Sequence, residues 1–96
     1  MSATDYAFEF RRRLDGLAYR FAPAPTESGR PAWRRIDLPL SLAWTPERGW
    51  TVRDEDGLVL SLPWDLDRTA QGPLPPETVW VSRKGDKSYV YDLVRV

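Results

Sequence analysis

The sequence contains no cysteine and no histidine. Without a thiol, disulfide frameworks, thiolate zinc sites and cysteine nucleophiles are excluded, and nothing points to an oxidising compartment. Without imidazole, the commonest general base and metal ligand, Ser-His-Asp, Cys-His and zinc-hydrolase arrangements cannot be assembled. Carboxylates, Tyr, Lys and Ser/Thr are the polar chemistry that remains. Net charge is also missing: fourteen basic residues offset fourteen acidic ones. No overall field therefore draws the chain to nucleic acid or an anionic membrane, and a charged partner has to meet a local patch. Long apolar runs are absent too. No stretch approaches the roughly 18 residues needed to cross a bilayer. The first ten residues carry Asp5 and Glu9 and lack the basic and apolar regions of a secretory signal. The expected location is the cytoplasm, with no cofactor, no metal and no membrane partner.

Lysine is scarce. Lys84 and Lys87 are the only two, so twelve of the fourteen basic residues are Arg. A GC-rich coding genome produces that bias without any function. The alternative is a guanidinium-lined contact surface, whose planar donor forks grip carboxylates or phosphates bidentately. Residues 1–48 hold eight basic and six acidic side chains and residues 49–96 hold six and eight, a difference too small to mark a polyanion-binding half.

What is present is one domain's worth of chain, residues 1–96, with 42% apolar and 12% aromatic content, enough to fold around a single core. Period-2 alternation recurs, which is the strand signal. Tyr6, Phe8 and Phe10 alternate with Ala7, Glu9 and Arg11. Asp15-Gly16 then supplies a dipeptide favoured in two-residue type I′ turns, and Leu17, Tyr19 and Phe21 continue on the return. A two-residue loop would set Phe10 opposite Phe21, Arg12 opposite Tyr19 and Arg11 opposite Arg20. A helix competes for residues 5–14, because Tyr6, Phe10, Leu14 and Leu17 also fit a 3.6-residue stripe that Gly16 could end.

Residues 22–32, with Pro23, Pro25, Gly29 and Pro31, read as a loop. Ile36, Leu38, Leu40, Leu42 and Trp44 share one face of a strand in which Pro39 requires an edge or a bulge. A turn at residues 45–49 leads to a strand from Trp50, the acidic turn Asp54-Glu55-Asp56-Gly57 follows, and Leu58 to Leu62 forms the next strand. Residues 63–78 read as irregular. A strand at Val79 to Ser82 and a last one from Ser88 to Val96 complete the chain. Val90, Val94 and Val96 are apolar opposite Tyr89, Tyr91 and Leu93, so the last strand is expected to be central or barrel-closing. The expected fold class is all-β: six or seven short antiparallel strands in meander hairpins, forming a small barrel of SH3-like or OB-like size or a compact two-sheet sandwich.

Two surfaces are candidates for function. Five Trp, at positions 33, 44, 50, 64 and 80, exceed what a 96-residue chain usually carries. Most are expected in the core, with one or two partly exposed. Trp44, Arg48 and Trp50 around one turn have the composition of a protein-contact hot spot. The alternative is a nucleic-acid grip by Arg11, Arg13 and Arg20 on the outer face of the first hairpin, with Arg34 and Arg35 nearby. Ala7, Ala18 and Ala22 occupy the interleaved positions where aromatic stacking platforms would be needed. Asp54 to Gly57 and Asp65-Leu66-Asp67 lack the spacing of a calcium loop and read as turns. Pro73-Leu74-Pro75-Pro76 satisfies PxxP, a pattern that arises easily in a Pro-rich connection. Carboxylate catalysis needs two groups held across a cleft, which a chain this short rarely encloses. The residues thus favour a non-enzymatic module that binds a protein partner, with a nucleic-acid-binding barrel as the alternative.

Overall fold

The computed structural model describes residues 7–27, 29–64, 71–84 and 86–96. Eight antiparallel strands follow one another around a closed barrel: β1 (Phe8–Arg12), β2 (Ala18–Glu27), β3 (Arg30–Arg35), β4 (Ser41–Thr45), β5 (Gly49–Arg53), β6 (Val59–Pro63), β7 (Val79–Lys84) and β8 (Lys87–Arg95). Each strand pairs with its sequence neighbours, and β8 returns to pair with β1 from Phe8↔Arg95 to Arg12↔Tyr91. The double apolar patterning of β8 thus marks the strand that closes the barrel. Among the described residues there is no helix, and none long and apolar enough to cross a membrane.

The first segment is a strand rather than a helix, and its hairpin register differs from expectation by two residues. Phe8 faces Phe21, Phe10 faces Tyr19, and Glu9 faces Arg20. The loop therefore holds residues 13–16, closed by Arg12 N donating to Leu17 O at 2.8 Å, with Gly16 at φ 76°. Electrostatics explains the preference. The expected register sets Arg11 against Arg20, a destabilising like-charge pair, whereas the observed one sets Glu9 against Arg20. Because the shift is even, every side chain keeps its face.

The strand count rises to eight because residues 22–32 are not a loop. They form most of the β2–β3 hairpin, with Pro23↔Trp33 and Ala24↔Ala32 paired and a register shift before Glu27↔Arg30. Arg20 O accepts from Ile36 N, so even-numbered backbone groups of β2 face β3 and odd-numbered ones face β1. Pro23 is odd and lies beyond Phe21, the last β2 residue paired with β1 among the described residues, and Pro25 lies in the register shift between Ala24 and Glu27, where a proline is tolerated. The expected strand from Ile36 is shortened: residues 36–39 bend, β4 starts at Ser41, and Pro39 stays outside the ladder. Ile36 and Leu38 are consequently exposed, while Leu42 is fully buried.

Alternation fills the barrel. Trp33, Trp50 and Trp80 are completely buried together with Phe8, Phe21, Leu42 and Leu93. Phe8 meets Trp33 edge-on at 4.9 Å, and Phe10 touches Phe21, Trp80 and Tyr91 at 5.0–5.3 Å. One barrel end, the base, is sealed by the connection between β6 and β7. Leu74 packs on the core and Pro75 is buried. Two of the buried indoles find acceptors there: Trp50 Nε1 donates to Gly72 O at 3.1 Å and Trp80 Nε1 to Pro76 O at 3.0 Å. A buried indole N–H without an acceptor costs about 1–3 kcal/mol, so this segment satisfies the core it covers. The PxxP stretch is thereby part of the barrel. Asp65-Leu66-Asp67 lies outside the described residues.

Candidate ligand-binding mouth of the barrel

The opposite end is built differently. There the inward positions of successive strands are Arg12, Tyr19, Arg35, Leu40, Ser82 and Tyr89, following Phe10, Phe21, Trp33, Leu42, Trp80 and Tyr91 deeper in the barrel. The same period-2 alternation that places aromatics in the core places guanidiniums at its rim, because each strand runs one inward position further. These side chains line a cavity of about 460 Å³, together with Leu38, Leu58, Leu60, Arg83 and Tyr91. Below it, between Phe10, Val52, Ser61 and Ser82, the free space falls to about 30 Å³. That leaves room for about one or two waters. An eight-stranded barrel is just wide enough for side chains to fill or for one small ligand; here the lower part is filled and the upper part is open.

Arg12 and Arg35 dominate the mouth. Their side chains are only 18% and 14% exposed. Arg12 Nε donates to Asp15 Oδ1 at 3.0 Å and its Nη2 to Asp15 Oδ2 at 2.6 Å. Arg35 repeats the grip on Asp37, with Nε to Oδ1 at 2.6 Å and Nη2 to Oδ2 at 3.1 Å. Arg35 lies over the Tyr19 ring at 4.0 Å; Arg12 lies 5.9 Å from the same ring and 5.1 Å from that of Tyr89. Cations within about 6 Å of a ring face are held by its quadrupole. Hydrogen bonding to Arg12 holds the Asp15 carboxyl below its usual range, and Arg35 does the same for Asp37. Asp15 in turn raises the Arg12 guanidinium above its ordinary value. Burial pushes the Tyr91 phenol up, with Arg12 acting against it.

The residues singled out from the sequence are distributed elsewhere. Trp44 and Trp50 do form the cross-strand pair at the β4–β5 turn, but Trp50 is fully buried. Trp44 is half-buried, with the Arg30 guanidinium over its ring at 3.9 Å. Arg48 is exposed, its backbone N bonded to Thr45 Oγ1. The exposed indole is Trp64, at 65%. Of the arginines expected on one outer face, Arg11, Arg20 and Arg34 keep that face. Arg11 and Arg20 both bind Glu9, at 3.2 and 3.3 Å, and Arg13 forms a bidentate pair with Asp92. Arg34 is exposed on the outer face, whereas Arg35 points inward to the mouth, its parity on β3 being that of Trp33. Asp54 Oδ1 accepts from Asp56 N and Leu58 N, both at 2.9 Å, as turn chemistry implies.

Sequence reasoning missed the mouth. Arg12 and Tyr19 on one face of the first hairpin were one signal, although Tyr19 pairs with Phe10, and Arg35 could be joined to them only once β3 was known as a strand of the same barrel. A second feature also emerged: Leu62↔Val81 and Val81↔Val90 are directly paired on the outer face of β6, β7 and β8. Leu62 and Val90 are exposed there. An adjoining groove of about 720 Å³ is lined by Arg48, Leu62, Trp64, Val81 and Arg83 among others.

Comparison with protein-family models, with curated proteins and with solved structures found no match to this chain.

Proposed function

We propose that this is a non-enzymatic binding barrel that takes one small molecule at its open mouth. The observation that carries the reading is the cavity of about 460 Å³ at one barrel end, apolar in its walls and furnished with two largely buried guanidiniums, Tyr91 and Ser82. Small-molecule sites are concave, mostly apolar and of roughly 300–1,000 Å³, with a few converging polar groups. Acid–base catalysis near neutrality calls for a group that titrates there. The guanidiniums lining this cavity stay charged, the Asp15 and Asp37 carboxyls beside it are held low by them, and the Tyr91 phenol is held high, which favours binding over turnover. A cytoplasmic location remains part of the proposal on composition.

The test is a titration of ¹⁵N-labelled protein with a set of small aromatic and aliphatic acids, amides and amines. Binding compounds should shift the amides of Tyr19, Leu40, Ser82 and Tyr89 and leave residues 72–78 at the base unmoved. If no compound moves the mouth, the reading fails.

A second reading, a protein-interaction module, is favoured by the outer row of Leu62, Val81 and Val90 beside the exposed Trp64 and Arg48. Exposed Trp with Arg is the composition of interface hot spots. The contact surface would then be this groove, with Arg48 but without the buried Trp50. Capture of a protein by wild type and by Arg35→Met, but not by Leu62→Lys or Trp64→Ser, would support it. Retention by the outer-face variants would remove it.

A further inference from the structure

We infer that the mouth's ligand is a small organic monocarboxylate with a flat apolar body, its carboxylate bridging the guanidiniums of Arg12 and Arg35. This rests on the ligand-binding reading above and names the ligand class for the same site. Asp15 and Asp37 each engage the Nε and Nη2 side of their guanidinium, Asp15 at 3.0 and 2.6 Å and Asp37 at 2.6 and 3.1 Å. A guanidinium carries five N–H donors in a rigid plane, so these bonds use two on each arginine and fix the direction of the rest along the Nη edge; Arg12 also donates to the Tyr91 phenol. Tyr19 then sets the spacing. Its ring centre is 4.0 Å from the Arg35 Cζ and 5.9 Å from that of Arg12, so the two cations lie within about 10 Å of each other. One carboxylate spans such a pair when each of its oxygens accepts from one guanidinium, and charge-assisted bonds of this kind are the stronger class.

Charge and shape narrow the class. Asp15 and Asp37 neutralise Arg12 and Arg35, and the exposed Arg83 at the rim supplies the further positive charge among the described residues that line the cavity. That balance suits a monoanion better than a phosphate dianion. Leu38, Leu40, Leu58 and Leu60 wall the cavity together with Tyr89 and Tyr91, which suits a ring packed among aromatic and aliphatic side chains. Asp15 and Asp37 act here as positioning residues, since they orient the arginines and do not meet the ligand.

Calorimetric titration with 2-naphthoate, 2-naphthamide, 2-naphthylmethylamine and inorganic phosphate tests this with one body and four head groups. Naphthoate should bind at least about tenfold more tightly than the amide, since a hydrogen bond to a charged group contributes on the order of 1.4 kcal/mol or more; the amine and phosphate should not bind measurably. Arg12→Met and Arg35→Met should each abolish the preference for acid over amide while amide spectra report an intact fold. Asp37→Asn should weaken naphthoate about threefold or more although it removes a negative charge, because an unanchored Arg35 loses its fixed edge. Equal affinity of acid and amide at the mouth, or tighter phosphate, would overturn the ligand class and leave the binding reading standing. Tighter naphthoate binding by Asp37→Asn would make the carboxylates competitors and overturn the bridging geometry. If neither these compounds nor the wider set of fragments perturb the mouth, the binding reading itself has failed.

Discussion

The two ends of this barrel are made from the same alternating strands and differ in what closes them. At the base, Trp33, Trp50 and Trp80 interlock with Phe8 and Leu42, and the connection between β6 and β7 lies across them. Carbonyls of that connection accept from the Nε1 donors of Trp50 and Trp80. At the mouth the corresponding inward positions carry Arg, Tyr and Ser, and short hairpins leave them open to solvent. The base therefore carries folding stability and the mouth carries polar chemistry at little cost to it. Ion pairing makes this possible: the guanidiniums of Arg12 and Arg35 lie near the Tyr19 ring and are each held by a carboxylate, Asp15 and Asp37.

The sharpest way to break the contrast is at the aromatic centre. Trp80→Ala and Phe10→Ala should each destabilise the fold by about 3–5 kcal/mol, seen as a lowered urea midpoint. Costs near 1 kcal/mol would mean that the barrel is loosely filled and the division between base and mouth is false. Next in size, Trp50→Phe keeps an aromatic ring but removes the Nε1 donor and leaves the Gly72 carbonyl without it. An expected loss of about 1–3 kcal/mol, with faster amide exchange at Gly72, Leu74, Glu77 and Thr78, would show that the connection is held by the indoles. Unchanged exchange there would separate the segment from the core.

At the mouth the effects shrink. Arg35→Met should alter stability by no more than about 1 kcal/mol, because its partner Asp37 is 54% exposed and remains solvated. A larger loss would make Arg35 a structural keystone and blur the comparison. Acid titration comes next. Asp15, Asp37 and Asp92 all have folded-state pKa values below the ordinary one, through Arg12, Arg35 and Arg13 respectively. A depressed carboxyl stabilises the fold above its unfolded value of about 3.9 and loses that contribution as pH falls through the folded value. Stability measured by urea midpoint should therefore be level from neutrality to about pH 5 and decline below about pH 4. The decline should be shallower in Arg35→Met and in high salt. Smallest of all, Arg20→Ala on the outer face should cost about 0–1 kcal/mol, as exposed pairs do; its role is to set the β1–β2 register, which amide contacts between Glu9 and residue 20 in the variant would report.

Much of the strand pattern was legible because alternation is local. The β4–β5 and β7–β8 hairpins, the acidic turn closed by Asp54 and the two apolar faces of β8 follow from residue order and turn chemistry alone, although a central strand and a barrel-closing one share that last pattern. The β2–β3 hairpin was not legible. Its prolines signal a loop in isolation and are accommodated beyond Phe21, the last β2 residue paired with β1 among the described residues, and in the register shift after Ala24, which no local window contains. Likewise, Asp15-Gly16 suggests a two-residue turn, and the choice of four residues lies in Glu9 facing Arg20 across the ribbon.

By itself, then, the order of residues determined that the chain is all-β, which faces of most strands turn inward, and that thiol and imidazole chemistry are excluded. Only the tertiary structure decided that eight strands close one ring, that Trp50 is buried and Trp44 half-buried beside an exposed turn, and that Arg12 and Arg35 both come near the Tyr19 ring. The physical reason is reach. Alternation and turn propensity are set within a few residues, whereas closure brings together positions more than twenty residues apart, and a binding site exists only in that convergence.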